Sequence, residues 1–240
     1  MIKLANCAIS ENNFKSKMRI FNELIILGLS EPTLSMVFDN LESHQLFPKI
    51  KIINNLEIEN LKPFKNDKFE IGIFKHIEIE FQNEYIFLGV NKPNSKFTIH
   101  QLFSKQVEKH GLEFINIIHK SSAISSTAQF GEGVHINSLV SIAAFTQIGD
   151  FVSINRNSSV GHHTKINDFV TINPGANIAG FVEIGKKSLI GMGVNVLDGI
   201  IIGENTIVGA GSVVTKNIPD RVIAYGNPCT VIRKNETLPL

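Results

Sequence analysis

The sequence predicts a small Rossmann-like α/β domain at residues 1–118, followed by a parallel β-helix with a C-terminal tail at residues 119–240. An apolar residue recurs at every sixth position over most of the second part, a period typical of neither a helix nor a simple strand. In the first part, strand-like and helix-like segments alternate, which predicts an α/β domain. The chain of 240 residues, 43% of them apolar and 19% charged, suits one large or two small globular domains.

Alternating patterns assign the elements of the first domain. Residues 22–42 are typical of a strand, a turn and a helix, with Ser30 as the N-cap and Pro32 in the first turn. Residues 95–111 predict a second helix that ends in glycine. The other predicted strands are 49–53, 69–74, 77–81, 85–90 and 113–118. Residues 1–20 fit either an added strand or an arm.

The six-residue period of the second part runs without a gap through sixteen hexads, from Ile124 to residue 219. Position one of each hexad is Ile or Val, except at Phe130, and position five holds only Ala, Val, Thr, Ser or Ile. Six residues per flat side and three sides per turn predict a triangular coil of short parallel strands, with positions one and five inside. Position two is mostly Gly, Asn or Ala, and we expect it to adopt the unusual backbone angles of the turns.

Charge and composition argue against several classes of function. The formal net charge is +1 with no long run of like charge, which favours neither nucleic acid nor a membrane surface as a partner. No segment is long and apolar enough to span a bilayer, and the N-terminal residues lack the apolar stretch of a signal peptide. Cys7 and Cys229 form no metal or redox motif, so we interpret them as reduced thiols of a cytoplasmic protein.

Two stretches of the chain, with the hexads and the α/β domain, resemble a known family. They are SSVGHHTKINDF at 158–169 and VGAGSVVTKNIPDRVIAYGNPCTVIRKN at 208–235. The arrangement resembles the NeuD-type sugar acyltransferases, which include bacillosamine-pathway and perosamine N-acetyltransferases and sialic acid O-acetyltransferases. The resemblance covers roughly residues 22–233 and is weakest in the α/β domain. It implies a left-handed coil, acetyl-CoA as acyl donor, a homotrimer, and active sites between neighbouring coils near the N-terminal domain of one subunit.

Two adjacent histidines are the candidate catalytic residues. His162 stands at position three of its hexad, outside the core, and shares a column of residues spaced by eighteen with Ala144 and Gly180. These two small neighbours leave room for a thioester beside the imidazole, although a lone exposed histidine is more often an ordinary surface residue. The resemblance places the family's general base on His162 and puts His163 where the family usually has an acidic residue.

The missing acidic residue leaves two possibilities open, because a carboxylate orients an imidazole and stabilises its protonated form. Either the base is weaker, or another carboxylate takes this role. A zinc site is the rival interpretation, and it needs three or four converging ligands. No third histidine lies one coil away from His162 or His163, and His135 lies in a different column. We therefore expect no metal.

The resemblance also implies which residues hold acetyl-CoA. The matching positions in the groove and in the tail that closes over the adenine end are Thr171, Gly180, Met192, Ala210, Asn227 and Pro228. Thr171 stands where the family often has histidine. Lys216 is a candidate partner of the CoA phosphates, since cations suit them. Small residues also suit tight coils of any function, and Lys216 is equally typical of solvated surface.

The acceptor is expected at the turn after the first strand, formed by Gly28, Leu29 and Ser30. The amino-sugar enzymes of the family have a GxGGHG-like turn there, whereas this chain has GLSEPTLS and retains only Gly28. A helix N-terminus suits phosphate, but Glu31 would repel it and Pro32 removes one donor. The acceptor turn is therefore where the chain departs most from the family.

These features predict an acetyl-CoA-dependent N-acetyltransferase that acts on a nucleotide-linked amino sugar in surface glycan biosynthesis, with a histidine as general base. An O-acetyltransferase of the sialic acid type is the first alternative, and it differs only in the acceptor. A non-catalytic β-helix scaffold is the second alternative. A measurement of acetyl-CoA binding distinguishes the two enzyme hypotheses, which require it, from the scaffold hypothesis, which does not.

Overall fold

The computed structural model describes residues 22–54, 67–75 and 85–236. The predicted strand at 77–81, residues 1–20 and Cys7 lie outside the described residues. The first domain contains one parallel sheet in the order β3-β2-β1-β4-β5. Its elements are β1 Glu23–Leu27, α1 Glu31–Ser43, β2 Lys49–Asn54, β3 Ile71–Lys75, β4 Tyr85–Leu88, α2 Pro93–His110 and β5 Glu113–Phe114.

Alternate residues of β1 face opposite sides of this sheet, as the two-residue period of a strand requires. Leu24 and Ile26 pack in the cluster formed with α1, whereas Ile25 and Leu27 pack in the cluster formed with α2. Ser30 is the N-cap of α1 with φ −135° and ψ 108°, as predicted, although its hydroxyl caps no backbone N–H. The α/β character of this domain is confirmed.

The second part is a three-sided coil of two-residue parallel strands, which ends in two longer strands that pair antiparallel with each other. The first face consists of β7 Ala123–Ile124, β10 Ser141–Ile142, β13 Ser159–Val160, β16 Asn177–Ile178, β19 Asn195–Val196 and β22 Val213–Val214. The second face consists of β8 Gln129–Phe130, β11 Gln147–Ile148, β14 Lys165–Ile166, β17 Glu183–Ile184 and β20 Ile201–Ile202. The third face consists of β6 Ile117–Ile118, β9 His135–Ile136, β12 Ser153–Ile154, β15 Thr171–Ile172, β18 Leu189–Ile190, β21 Ile207–Val208, β23 Val222–Gly226 and β24 Cys229–Lys234.

The register of the strands follows the hexads. Ile142 pairs with Val160 and Val160 with Ile178, so each residue lies beside the one eighteen positions further on. Residues at positions one and five fill one continuous core, as predicted. The single strand predicted at 113–118 is instead two short strands, and the second of them, β6, already belongs to the third face of the coil.

The turns of the coil correct one expectation. The left-handed backbone lies at position four of the hexads, for example at Phe145, His163 and Phe181, with φ between 55° and 59°. Position two is small for another reason, which is the close approach of the next coil. A Cβ placed on Gly161 would lie 2.4 Å from the carbonyl carbon of Ala179. The six-residue period locates the turns but does not reveal which turn residue is left-handed.

A buried lysine joins the two domains. Lys96 of α2 is 2% exposed, and its ammonium donates hydrogen bonds to the carbonyl of Phe151 at 2.7 Å and to that of Val170 at 3.0 Å. The hydroxyl of Ser153 is its third partner, at 3.1 Å. Burial holds the pKa of Lys96 well below its usual range. Because Phe151 and Phe169 of the coil also pack in the α2 cluster, the first domain sits firmly on the third face.

Within the described ranges, no helix has the length and the hydropathy that crossing a membrane requires.

Candidate active site

His162 and His163 lie on the corner between the first and second faces, in the turn from β13 to β14. The backbone N–H of His163 donates to the carbonyl of Ala144 at 3.0 Å, and the carbonyl of His162 accepts from Phe181 at 2.9 Å. The turn is therefore held by the coil on each side of it. Both imidazoles project outward and are exposed, as the hexad positions predicted.

The two imidazoles contact each other directly. Their Nδ1 atoms lie 3.2 Å apart, and the two ring planes are nearly perpendicular, at 85°. Because neither Nδ1 can donate and accept at once, one of them carries the hydrogen and the other accepts it. If His162 carries its hydrogen on Nδ1, its Nε2 has a free lone pair, which is what a general base needs.

Two phenyl rings fix the plane of His163. Its ring centroid lies 5.0 Å from that of Phe145 and 5.0 Å from that of Phe181, and the latter pair is stacked at an interplanar angle of 19°. These three residues occupy position four in successive coils, where the backbone is left-handed. Phe145 and Phe181 remain 54% and 55% exposed, so the column forms an aromatic ridge on the surface.

Gly180 is buried and has no side chain, and the narrow place that its Cβ would take, here called the gap, lies beside the Nε2 of His162. A Cβ placed on Gly180 would lie 3.0 Å from that Nε2 and 2.8 Å from the Cε1 of His162. The same point lies 3.0 Å from Oδ1 of Asp198, which is in the next coil of the column. The gap thus lies between an imidazole and a carboxylate. The eighteen-residue spacing places Asp198 in this column, but no role for it follows from the sequence.

A second site lies on the first domain, where its sheet meets the third face of the coil. A cleft of about 710 Å³ opens at the ends of β1 and β4, between the start of α1 and the start of α2. Gly28, Leu29 and Ser30, the predicted acceptor residues, line it together with Lys92. Neighbouring strands whose connections run to opposite sides of the sheet form a topological switch point, the usual ligand crevice of such sheets.

Thr171 also lines this cleft and does not lie near His162. It is 1% exposed, and its hydroxyl donates to the backbone carbonyl of Asn91 at 2.6 Å. The cleft extends along the third face to Asn173 and Leu189. Asn91 contributes a buried side-chain oxygen, Oδ1, that accepts no hydrogen bond in the described structure.

The remaining predicted residues fall into separate groups. Lys216 shares the corner of His162 and Gly180 but lies two coils beyond Gly180 and is exposed. Met192 and Ala210 lie on the corner between the third and first faces, and Met192 is 59% exposed. Asn227 and Pro228 are exposed in the turn between β23 and β24. Within one chain, the predicted acceptor residues therefore lie together in the cleft, whereas His162 lies on a different side of the coil.

Other titratable groups have structural environments. His135 of β9 is fully buried, its Nε2 has no partner in the described structure, and burial lowers its pKa to about 3. Cys229 is buried in the core of the coil, and burial raises the pKa of its thiol. Within residues 22–54, 67–75 and 85–236, no three His, Cys, Asp or Glu side chains are grouped so that they could hold a metal ion.

Comparison with known proteins gives one family match and several structural matches. The family model of the bacterial transferase hexapeptide (six repeats) matches residues 181–216. No curated protein sequence matches significantly. PerB from Caulobacter crescentus, solved in complex with CoA and GDP-perosamine, is 25% identical with a TM-score of 0.73, and the match covers 88% of this chain and 97% of that one.

Two further structures share the fold at lower identity. The acetyltransferase domain of PglB from Neisseria gonorrhoeae, in complex with acetyl coenzyme A, is 20% identical with a TM-score of 0.74 and covers 88% of this chain and 100% of that one. WeeI from Acinetobacter baumannii is 22% identical with a TM-score of 0.71, and the match covers 87% and 99%. The predicted fold, a Rossmann-like domain followed by a left-handed β-helix, is confirmed. In its repeat, its domain order and these likenesses, the chain is similar to hexapeptide-repeat acyltransferases of the NeuD type.

Proposed function

We propose that the protein transfers an acetyl group from acetyl-CoA to the amine of a nucleotide-linked sugar, for surface glycan biosynthesis, and that His162 is the general base. The observation that carries this proposal is the gap at Gly180, which the Nε2 of His162 borders while its Nδ1 contacts His163. The crystal structure of PerB, which contains CoA and GDP-perosamine, supports both substrate classes.

The reaction follows from this geometry. The amine nitrogen attacks the thioester carbonyl carbon, and its proton passes to Nε2 of His162. The carbon–sulfur bond then breaks, and the proton on His162 passes to the leaving sulfur, which yields the amide and the free thiol of CoA. Base catalysis of this kind contributes about 10²–10⁴-fold to a rate. The backbone N–H of Gly180 donates to no other described residue, so it is available to the oxyanion of the tetrahedral intermediate.

His163 acts in this scheme as the positioning residue for His162. When His162 takes the proton at Nε2, its Nδ1–H needs an acceptor, and the Nδ1 of neutral His163 lies 3.2 Å away. The stacked ring of Phe181 and the tilted ring of Phe145 keep the imidazole of His163 in the required plane. A neutral imidazole thus replaces the acidic residue that is usual in the family. A protonated His163 would lose its acceptor atom and oppose the charge on His162.

The cleft on the first domain is the proposed site of the nucleotide-linked sugar. The N-termini of α1 and α2 both open onto it, and Lys92 adds a positive charge at its edge. Helix N-termini and a cation together suit a diphosphate. The first turn of α1 contains Glu31, which would repel a phosphate, whereas the first turn of α2 contains no acidic residue, so we assign the phosphates to the side of α2.

The separation of this cleft from His162 within one chain supports a homotrimer, in which a second copy supplies the histidine. Exposed apolar side chains support such packing, because a monomer rarely leaves so many on its surface. They include Phe145, Phe181, Met192, Leu197 and Ile201, each at least 49% exposed. Met192 and Ala210 would then line the acetyl-CoA groove between two copies, with Asn227, Pro228 and Lys216 near its outer end.

The test is thiol release from acetyl-CoA with a panel of acceptors. The panel contains nucleotide-linked 4-amino and 3-amino sugars, the matching hydroxyl sugars, and free and activated sialic acids. Transfer to an amino sugar is the expected result. Transfer only to a hydroxyl would replace the proposal by the O-acetyltransferase. If the protein neither transfers to any acceptor nor binds acetyl-CoA in calorimetry, it is a scaffold.

A further inference from the structure

We propose that Asp198 makes the site selective for an amine over a hydroxyl acceptor, an inference that rests on the proposed function. The Oδ1 of Asp198 and the Nε2 of His162 both lie beside Gly180, each 3.0 Å from the position that a Cβ would take there, so the two atoms are at most 6.0 Å apart. The Cβ position belongs to Gly180 itself, but both side chains are exposed, so an acceptor nitrogen that reaches the imidazole of His162 from the solvent side comes within reach of the carboxylate of Asp198. Asp198 is therefore placed to contact the attacking group and not merely to support His162.

The carboxylate of Asp198 is available to a substrate. Within the described residues it forms no salt bridge and accepts no hydrogen bond, and it is exposed. Lys165 and Glu183 on the second face form a salt bridge with each other at 3.3 Å. Lys216, one coil further along the column, is not within salt-bridge distance of Asp198. The titratable groups that share the corner with Asp198 are therefore His162, His163 and Lys216.

The charge of the acceptor decides what this carboxylate contributes. A sugar amine arrives as an ammonium ion, and its nitrogen is positive again in the tetrahedral intermediate before the proton leaves. A charge-assisted hydrogen bond to Asp198 stabilises both states and holds the nitrogen beside His162. A sugar hydroxyl arrives neutral and gains no such bond. The developing oxyanion has to point away from Asp198, toward the backbone N–H of Gly180.

The acceptor nitrogen loses its two protons in separate steps. One ammonium proton is released to solvent on binding or is held by Asp198, and the amine lone pair forms the new carbon–nitrogen bond. The second proton goes to Nε2 of His162 and then to the sulfur of CoA as the carbon–sulfur bond breaks. Asp198 therefore changes the rate through the acceptor and leaves the donor chemistry unaltered.

The alternative is that Asp198 is only a polar residue in a turn, next to Gly199, whose φ is 68°. In that case its replacement by Asn leaves both acceptors equally affected. The two interpretations therefore predict different ratios of kcat/KM for the amine to kcat/KM for the hydroxyl. A structural disturbance of the corner would lower both values and leave their ratio unchanged.

The experiment compares native protein, Asp198→Asn and Asp198→Glu. Each is given acetyl-CoA with the amino sugar nucleotide of the panel that the native protein acetylates fastest, GDP-perosamine being tried first, and, separately, with the sugar nucleotide that carries a hydroxyl in place of that amine. Glu183→Gln is the matched control, because it removes one exposed carboxylate outside the gap. We expect Asp198→Asn to lower kcat/KM for the amine by about tenfold or more, and by much less for the hydroxyl. Asp198→Glu should restore part of the loss.

Three results would overturn the inference. They are an unchanged ratio of amine to hydroxyl transfer in Asp198→Asn, an equal loss with Glu183→Gln, and a native protein that prefers the hydroxyl. Calorimetry with CoA is expected to give the same Kd in all variants, which shows that the corner is intact. Absence of transfer by the native protein to either acceptor contradicts the proposed function itself, and the two failures are thereby distinguished.

Discussion

His162 and His163 share a hydrogen bond between their Nδ1 atoms, which lie 3.2 Å apart on one corner of the coil. A histidine pair of this kind needs one donor and one acceptor, so it functions only while at least one ring is neutral. The packing of His163 between two phenyl rings, stacked on Phe181 and tilted against Phe145, preserves this geometry on an exposed surface. In the proposed mechanism this pair takes the place of the acidic neighbour that NeuD-type enzymes usually have.

Replacement of His163 by Phe tests that pair. The variant keeps a flat ring between Phe145 and Phe181 but removes the acceptor for Nδ1 of His162. We expect kcat to fall by about tenfold or more while KM for acetyl-CoA changes little. His163→Glu, which returns a carboxylate acceptor, should retain most of the native kcat. Native kcat in His163→Phe, measured at saturation with both substrates, would refute the positioning role.

Replacement of Gly180 by Ala fills the gap beside His162. The new Cβ would meet Cε1 of the imidazole at 2.8 Å and Oδ1 of Asp198 at 3.0 Å. Both are ends of side chains that can move, so we expect little loss of thermal stability but a fall in kcat/KM of about a hundredfold. Transfer rates and melting temperatures measured together separate blockage from unfolding. A variant that melts like the native protein and transfers at its rate would show that the gap is not used.

Replacement of Lys92 by Ala tests the acceptor cleft. Removal of a cation beside a diphosphate is expected to raise KM for the sugar nucleotide by about tenfold and to leave kcat at saturation unchanged. Lys105→Ala, on an exposed position of the same helix, is the matched control. Equal KM values for the two variants would place the phosphates elsewhere.

His135 predicts a pH dependence of stability. Burial lowers its pKa in the folded protein to about 3, against 6.5 ordinarily, so the unfolded chain binds more protons between these values. Stability therefore falls as the pH is lowered through this window, and His135 accounts for about 2 kcal/mol between pH 7 and pH 5. Burial also lowers the pKa of Lys96, so Lys96 likewise makes the stability fall as the pH is lowered. Because Lys96 is present in both proteins, its effect is the same in the native protein and in His135→Leu.

Urea unfolding at pH 7 and pH 5, at one protein concentration, measures this contribution. In His135→Leu the difference in the free energy of unfolding between the two pH values should be smaller by about 2 kcal/mol. The absolute stability of the variant does not enter the comparison. An unchanged difference would mean that His135 is not held neutral by the fold.

The hexad pattern predicted the coil well because one residue in six is fixed by a core that runs its whole length. Val160 and Ile178 had to lie in register, and the columns that contain His162 and Gly180 followed from the spacing. The period does not show which turn position is left-handed, so position two was wrongly chosen. The mutual contact of His162 and His163 depends on that left-handed turn at His163 and was therefore not predicted.

Contacts between the two domains could not be predicted from the sequence. Nothing in the pattern of α2 shows that Lys96 points into the coil, since a lysine near a helix N-terminus is normally solvated. The period also does not reveal which face the first domain covers. The resemblance grouped Thr171 with the acetyl-CoA residues, and its place in the cleft beside Gly28 and Ser30 was not predicted. Asp198 was visible in its column, but its relation to His162 requires the actual turn geometry.

The most direct test of the central claim is the transfer rate of His162→Ala beside the native protein, with the Kd for acetyl-CoA measured by calorimetry on both. If His162 is the general base, kcat falls by about 10²–10⁴-fold while the Kd stays within about threefold of the native value. If the variant transfers acetyl groups at the native rate, His162 is not the base and the account is contradicted.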